Sequence, residues 1–228
     1  MIGIIGAMSI EVDRFKAQMQ DATYETISGT EFVSGTLWGH PVVVAVSGVG
    51  KVNAAICTEA MILRYSPKFI INSGVAGGLS AELSLCSAVI ASFVIQHDMD
   101  TSPLGDPVGY ISGLGLVEIP TDEDLSKKLL DAALENDIHA IKGKIVSGDQ
   151  FINSSEKKDY LRDFFGGAAC EMEAASIGHV CFKNSVPFAI LRTISDNADD
   201  SSHISFNDFV DLAAVNMEEI MKTFLKRI

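Results

Sequence analysis

Residues 186–199 read VPFAILRTISDNAD, an apolar run with branched side chains that passes directly into acidic residues. The apolar part predicts a buried strand, and Asp196 then lies at its end. A carboxylate at the edge of a core is costly to desolvate unless it is paired or takes part in chemistry. Asp196 is therefore predicted to be either a general acid or the Asx cap of the following loop.

Three further strand-like runs end in glycine-rich segments: IGIIGA (2–7), PVVVAVSGVG (41–50) and KFIINSGVAGG (68–78). Strands of this continuously apolar kind alternate with helical patterns, which is typical of a mostly parallel sheet covered on both faces. The β-rich block at 22–47, with a hairpin turn at WGHP (38–41), adds antiparallel strands. We expect an α/β protein, a three-layer α/β/α sandwich around a mixed central sheet, formed as one domain by residues 1–228.

The helical patterns supply the two outer layers of this sandwich. Ser9 is expected to cap the first helix, and Gly166 to end the fourth. Residues 99–120 hold four glycines and three prolines and are expected to form an irregular loop. The predicted helices cover residues 9–19, 51–65, 122–136, 154–166, 173–184 and 205–228.

The composition, 47% hydrophobic and 21% charged, is that of an ordinary globular protein. The formal net charge is −13 and there is no basic stripe, which argues against nucleic acid and anionic membranes as partners. The apolar runs are of strand length, MIGIIGAM lacks the features of a signal peptide, and the histidines are too scattered for a metal site. We therefore expect a cytoplasmic protein with reduced and mostly buried cysteines that needs no metal and no cofactor.

Ligands of open α/β sheets bind at the carboxyl ends of the strands, and the polar residues expected there each have two interpretations. Glu11 is either an acid in the first turn of a helix or a general base that reaches over the pocket. The motif GVAGG (74–78) is either a tight strand-to-helix connection, which its spacing favours, or a phosphate cradle, although it lacks the P-loop pattern.

Two later motifs are ambiguous in the same way. In GDQFI (148–152), Phe151 is either a core aromatic residue or a ring that stacks on a planar base. In EMEAAS (171–176), the two glutamates are favoured as first-turn acids of a helix, although the thioether of Met172 between them fits a simple cap less well.

Six motifs, taken in order, resemble those of the 5′-methylthioadenosine/S-adenosylhomocysteine nucleosidases. The resemblance runs from residue 1 to the terminal helix, and the ordered combination is far more specific than any single motif. It implies the purine nucleoside phosphorylase superfold and hydrolysis, in methionine salvage, of the N-glycosidic bond between adenine and a 5′-thio-substituted ribose. The motifs are IGIIGAMSIEV (2–12), SGVGKVNAA (47–55), INSGVAGGL (71–79), VSGDQFI (146–152), EMEAASIGHVC (171–181) and LRTISDNAD (191–199).

The resemblance also implies roles for individual residues. Glu11 would activate the attacking water, and Asp196, oriented by Ser195, would protonate N7 of the departing adenine. Glu173 would hold the ribose hydroxyls. The other implied contacts are Met172 with the sugar, Phe151 and Ile152 with adenine, Gly77 with the nucleoside, and Met8, Val49 and Phe206 with the 5′-substituent. Arg192 and Glu171 would each lie near the water site and support it.

This chain departs from the family pattern in two places. Val75 stands where many members have a serine near the catalytic aspartate, so the orientation of Asp196 would depend more on Ser195 and the backbone. Thr101 and Leu104 stand where bulkier apolar residues often cover the 5′ group, in a loop that family dimers lend across their interface. The chain thus leans toward the subgroup that also accepts 6-amino-6-deoxyfutalosine, and 5′-deoxyadenosine is a further candidate substrate. A homodimer follows from the family alone.

Two other functions are weighed against this one. A purine nucleoside phosphorylase of the same fold would need cationic residues for phosphate, yet Arg192 is the one arginine in these motifs and Glu11 would repel the anion. A nucleoside-binding sensor without activity would not need to retain both Glu11 and Asp196.

Overall fold

A ten-stranded mixed sheet forms the centre of the molecule. The structure is a computed structural model that describes residues 1–199 and 202–228, with the backbone alone over 202–208. The strands of this described part are β1 (Ile2–Gly6), β2 (Gln20–Ile27), β3 (Thr30–Leu37), β4 (His40–Val46), β5 (Ile70–Gly78), β6 (Ala88–Gln96), β7 (Ile119–Pro120), β8 (Ala140–Ser147), β9 (Gly167–Glu171) and β10 (Phe188–Asp196).

Strand β5 organises this sheet, because it is buried along its whole length and has neighbours on both edges. On one edge it pairs in parallel with β10 over nearly all of its residues. On the other edge, Ile70–Asn72 pair in parallel with β1, and Gly77 and Gly78 pair antiparallel with β9. Because β10 also pairs with β6, and β6, β8 and β9 follow side by side, the sheet closes on itself through five strands.

The helices cover this sheet from two sides, which confirms the predicted α/β/α architecture around a mixed sheet. Helices α1, α3 and α6 share one apolar cluster with the sheet, and α2 and α5 share another on the opposite side. The described helices are α1 (Ser9–Ala17), α2 (Lys51–Tyr65), α3 (Glu123–Glu135), α4 (Ser155–Phe165), α5 (Ala174–Lys183) and α6 (Ser202–Leu225).

Local sequence signals located most of these elements closely. Helix α2 has the predicted bounds, Gly166 ends α4 in a left-handed conformation (φ 67°), and Trp38 and Gly39 form the predicted hairpin turn, both with positive φ. The antiparallel block at β2, β3 and β4 is also confirmed. The prediction of Ser9 as a helix cap was wrong, since Met8 occupies that position and the carboxylate of Glu11 binds its N–H.

Two other predictions need adjustment. The terminal helix begins at Ser202, before the predicted start at 205, and the loop at 99–120 contains a short 3₁₀ turn (Ser102–Leu104) and strand β7.

The four cysteines are free thiols and three of them are buried, as expected. Among the described residues, no helix is both long enough and apolar enough to cross a membrane.

Helix α5 lies so close to the sheet that position 178 has no room for a side chain. A Cβ on Gly178 would lie 2.7 Å from Val94 Cγ2 and 2.9 Å from two ring atoms of Phe188. We expect Gly178→Val to lower the free energy of unfolding by about 1–3 kcal/mol, because the core must shift to admit the side chain. Urea unfolding measures the change.

Gly113→Ala is the matched control, because the nearest atom to its new Cβ is the flexible end of Lys183, at 3.8 Å. We expect that variant to unfold within about 0.5 kcal/mol of the unsubstituted protein. Equal stability of the two variants would contradict the close helix–sheet packing.

Candidate active site

A cavity opens where the carboxyl-terminal ends of several strands meet, as the sequence predicted. Six segments of chain line it, and each follows or ends a strand or begins the next helix. The lining residues are Ala7, Met8, Glu11, Val49, Val75, Ala76, Gly77, Gln150, Phe151, Ile152, Cys170, Glu171, Met172, Glu173, Ser195 and Asp196.

Eleven of the thirteen residues to which the resemblance gives a role line this cavity, and the other two are described separately. Arg192 lies behind the lining carboxyl groups, and Phe206 falls outside the residues whose side chains are described. Thr101 and Leu104 do not line the cavity, and the side chain of Leu104 is 84% exposed. Cys170 also lines the cavity, and its position directly before Glu171 was the signal in the sequence that could have identified it.

Glu11 is held by backbone N–H groups from two segments of the chain. Its Oε2 accepts hydrogen bonds from Ala7 N (2.7 Å) and Met8 N (3.0 Å), and its Oε1 accepts one from Val75 N (2.9 Å). The residue is 3% exposed. Burial raises the pKa of Glu11, while Arg192 and the backbone bonds oppose that rise. Glu11 therefore lies at the cavity wall as a fixed carboxyl group that can accept a proton.

The guanidinium group of Arg192 joins the strands behind the cavity. Its Nη2 donates to Asn72 Oδ1 at 2.7 Å and pairs closely with Glu171, and its Nη1 donates to the carbonyl of Val75 at 3.2 Å. The approach requires glycine at position 74, because a Cβ there would overlap Arg192 Nη1 and lie 2.6 Å from Glu11 Oε1. The sequence offered no signal for Asn72 as a partner of this arginine.

Glu171 and Glu173 have different surroundings although one residue separates them. Glu171 Oε2 accepts bonds from the N–H groups of Glu173 (2.9 Å) and Ala174 (2.8 Å), and Oε1 accepts the hydroxyl of Ser147. Glu173 accepts one backbone bond, from Gly50 N at 2.9 Å, and lies 3.5 Å from Arg192. Burial, and then the charge of Glu171, raises the pKa of Glu173 to about 7, against the opposing effect of Arg192.

Asp196 ends β10 opposite these glutamates, in a place where the strand pairing shifts register between Ile194 and Asp196. Its Oδ2 accepts the hydroxyl of Ser195 at 3.0 Å, and its Oδ1 accepts Ala198 N at 2.9 Å. Asp196 is 3% exposed. With valine at position 75, these two donors orient the carboxyl group, and the bond from Ala198 N confirms the predicted Asx cap.

The loop that carries Phe151 is fastened by charged residues that the sequence analysis did not identify. Asp149 N donates to Asp98 Oδ2 (3.0 Å), and Asp149 Oδ1 accepts from Lys51 N (2.7 Å). Lys51 Nζ closes the ring on Asp98 Oδ1, also at 2.7 Å. This ring holds the loop against the start of α2, with Ile152 buried and the ring of Phe151 half exposed at the cavity mouth.

Comparison with known proteins shows the family to which this chain belongs. A family model described as the phosphorylase superfamily matches residues 1–226. A 5′-methylthioadenosine/S-adenosylhomocysteine nucleosidase from Shewanella piezotolerans is 38% identical over 228 residues, which cover all of this chain and 99% of that protein. This chain belongs to that nucleosidase family. A relative of the same name from Shewanella halifaxensis has the same identity and coverage.

Solved structures agree with this assignment. The nucleosidase of Neisseria meningitidis, bound to methylthio-immucillin-A, has a TM-score of 0.96 at 33% identity, and the match covers all of this chain and 99% of that one. The futalosine hydrolase of Helicobacter pylori has a TM-score of 0.95 at 35% identity, with coverage of 100% and 97%. The mixed sheet and its helices therefore have the fold of the nucleosidase family.

Because the pKa of Glu173 is raised in the folded protein, ionisation of its carboxyl group lowers the free energy of unfolding. A group whose pKa is higher in the folded state than in the unfolded state makes its full contribution to stability at low pH. That contribution is lost as the pH rises through the folded-state pKa, here about 7. We expect Glu173→Gln to be more stable than the unsubstituted protein by up to about 3 kcal/mol near pH 8, and by much less near pH 5. Urea unfolding at both pH values measures this.

The exposed residue Glu82 provides the control, since Glu82→Gln removes the same charge from the surface. We expect that change to shift stability by less than about 0.5 kcal/mol at either pH. A Glu173→Gln variant whose stability difference did not depend on pH would contradict the buried titration.

Proposed function

We propose that this protein is a hydrolase that cleaves the N-glycosidic bond of 5′-methylthioadenosine and S-adenosylhomocysteine and releases adenine. The observation that carries the proposal is the pair of buried carboxyl groups, Glu11 and Asp196, which line one cavity from different elements and are oriented by different donors. The names of the relatives, nucleosidases for these two substrates, support the same reaction.

Asp196 is proposed as the general acid. As the bond between C1′ and N9 breaks, positive charge develops on the ribose and negative charge on the departing base. A proton passed from Asp196 to N7 neutralises the base, and the bonds from Ser195 and Ala198 hold the carboxyl group in one orientation for that transfer.

Glu11 is proposed as the general base. A water molecule attacks C1′, its oxygen forms the new C–O bond, and one of its protons passes to Glu11. The products are adenine and a 5′-thio-substituted ribose. Glu11 then returns its proton to solvent and Asp196 takes one up, so the enzyme is restored. The three backbone bonds to Glu11 allow it to act without moving.

The other lining residues are proposed to hold the nucleoside. Glu173 accepts the ribose hydroxyls and Met172 packs against the sugar. Phe151 stacks on adenine, whose edge meets the backbone of Ile152. The remaining proposed contacts are Gly77 with the nucleoside, Met8, Val49 and Phe206 with the 5′-substituent, and Arg192 in support of Glu11.

The charge of the cavity favours hydrolysis over phosphorolysis. Among the described lining residues there is no lysine, arginine or histidine, whereas four are acidic. Arg192 already pairs with Glu171 and has Glu173 and Glu11 nearby. Negative charge repels phosphate and stabilises the cationic sugar of the transition state, so water is the better nucleophile here.

We propose a broad tolerance for the group at the 5′ position. Val49 lines the cavity and is 48% exposed in the single protomer, so one protomer does not itself enclose this side of the site. One similar structure, from Helicobacter pylori, is that of a futalosine hydrolase. We therefore include 5′-deoxyadenosine and 6-amino-6-deoxyfutalosine among the candidate substrates, since they share the same purine and ribose.

The assay is adenine release from 5′-methylthioadenosine, followed by absorbance with and without phosphate. We expect release without phosphate, with kcat lowered by at least about a hundredfold in both Glu11→Gln and Asp196→Asn, because each removes a proton-transfer group. Release that requires phosphate would replace this proposal with a phosphorylase. Tight binding without release would favour the sensor.

A homodimer is the second part of the proposal, and α2 is the proposed contact. The side chains of Val52, Ile56 and Leu63 are 69%, 45% and 73% exposed, and their spacing places them along one side of the helix. A row of exposed apolar side chains is typical of a protein interface. Helix α2 follows Gly50, whose N–H binds Glu173, so this contact would adjoin the site.

We expect the double substitution Ile56→Asp with Leu63→Asp to convert the protein from dimer to monomer, because charge would then be buried without a partner. Leu134→Asp is the control, since Leu134 is 54% exposed on α3. Sedimentation velocity measures the mass. A double variant with the same mass as the unsubstituted dimer would contradict α2 as the interface.

A further inference from the structure

Three glutamates share one arginine behind the ribose side of the cavity. Glu11, Glu171 and Glu173 are each at most 9% exposed, and Arg192 is 1% exposed. With all four groups ionised, three negative charges would face one positive charge. Two uncompensated charges in a buried site carry a large desolvation cost, which a protein lowers by keeping a carboxyl group protonated.

The hydrogen-bond donors show which carboxyl group holds the proton. Glu11 accepts three backbone N–H groups. Glu171 accepts two backbone N–H groups, the hydroxyl of Ser147 and the guanidinium group of Arg192. Glu173 accepts one N–H, from Gly50, and its carboxyl oxygen lies 3.5 Å from Arg192. Since donors stabilise the ionised form, the proton belongs on Glu173.

The charged groups around Glu173 act in the same direction. Glu171 on β9 and Glu11 on α1 both raise the pKa of Glu173, while Arg192 on β10 lowers it. Arg192 would compensate Glu173 fully only if it turned away from Glu171. Asn72 and the carbonyl of Val75 fix the guanidinium where it is.

We propose that Glu171 is a positioning residue that keeps Glu173 protonated in the empty site, so that nucleoside binding expels one proton to solvent. The inference rests on the proposed function, in which Glu173 binds the ribose. Two ribose hydroxyls that both donate to one carboxyl group need both of its oxygens as acceptors, and a protonated acid offers one oxygen as a donor instead. Binding therefore selects the ionised form, whose negative charge lies beside the sugar when its positive charge develops.

The test is calorimetric titration with the 7-deaza analogue of 5′-methylthioadenosine, in buffers of different ionisation enthalpy. Carbon replaces N7 in this analogue, so it is not protonated there by Asp196 and is not cleaved. For a group that titrates near 7, we expect release of close to one proton near pH 6 and almost none near pH 8, with about tenfold weaker affinity at the lower pH.

Three variants identify the residues responsible. Glu171→Gln removes the charge and keeps an acceptor oxygen, and we expect its affinity to change by less than about threefold between the two pH values, because the charge of Arg192, held in the same place, is then no longer offset by Glu171. Glu173→Gln releases no proton at either pH. Ser147→Ala is the matched control, since it removes one donor to Glu171 without changing any charge, and it should retain the tenfold dependence.

Carbon-13 NMR of the glutamate carboxyl groups provides a second measurement that needs no Glu171 variant. It should show that the carboxyl group of Glu173 titrates near neutral pH. Binding of the analogue without proton release near pH 6, or a tenfold dependence retained in Glu171→Gln, would overturn the inference while leaving the hydrolase intact. An enzyme that neither binds the analogue nor releases adenine would overturn the proposed function instead.

Discussion

The buried guanidinium group of Arg192 is the interaction on which the site depends. It lies on β10 and reaches Asn72 and Val75 on β5, and Glu171 on β9, so it joins three strands of the closed part of the sheet. A guanidinium group without partners would be very costly to bury, and the carboxylate and carbonyl acceptors offset that cost. The same contacts fix the positions of the carboxyl groups at the cavity wall. The same bonds therefore stabilise the strand ends and hold in place the carboxyl groups proposed for the chemistry.

Backbone N–H groups at the starts of two helices also hold the carboxyl groups in place. Glu11 lies in the first turn of α1 and binds N–H groups there, and Glu171 binds N–H groups at the start of α5. The partial positive charge of a helix N-terminus favours an acid at such a place whatever else the acid does. For Glu11, the two interpretations that the sequence allowed thus do not exclude each other, whereas the first-turn interpretation was wrong for Glu171, which ends β9 before α5 begins at Ala174. An acid that completes a helix start is also oriented and buried, as a catalytic or binding group must be.

The charge balance of the cavity connects this support to the proposed chemistry. Three glutamates around one arginine leave the ribose side negative or partly protonated, and Asp196 is separated from them on β10 with its own donors. Such a site suits a neutral nucleoside that becomes cationic at the sugar while its base takes up a proton. Neighbouring acidic side chains can take the different proposed roles of base, acid and ribose ligand because their environments differ.

The sequence by itself determined the layered α/β architecture, the bounds of α2, the hairpin at Trp38 and Gly39, and the family, because periodicity, turn chemistry and ordered motifs are written in neighbouring residues. It also identified the ends of β1, β4, β5 and β10 that meet at the cavity, since these neighbouring strands run parallel. Only the tertiary structure decided that the sheet closes through the pairing of β10 with both β5 and β6. Only the structure assigned Arg192 to Glu171 as its nearest carboxyl partner and left Glu173 with one backbone donor. Those choices depend on distances between residues far apart in the chain, which no local pattern of residues records.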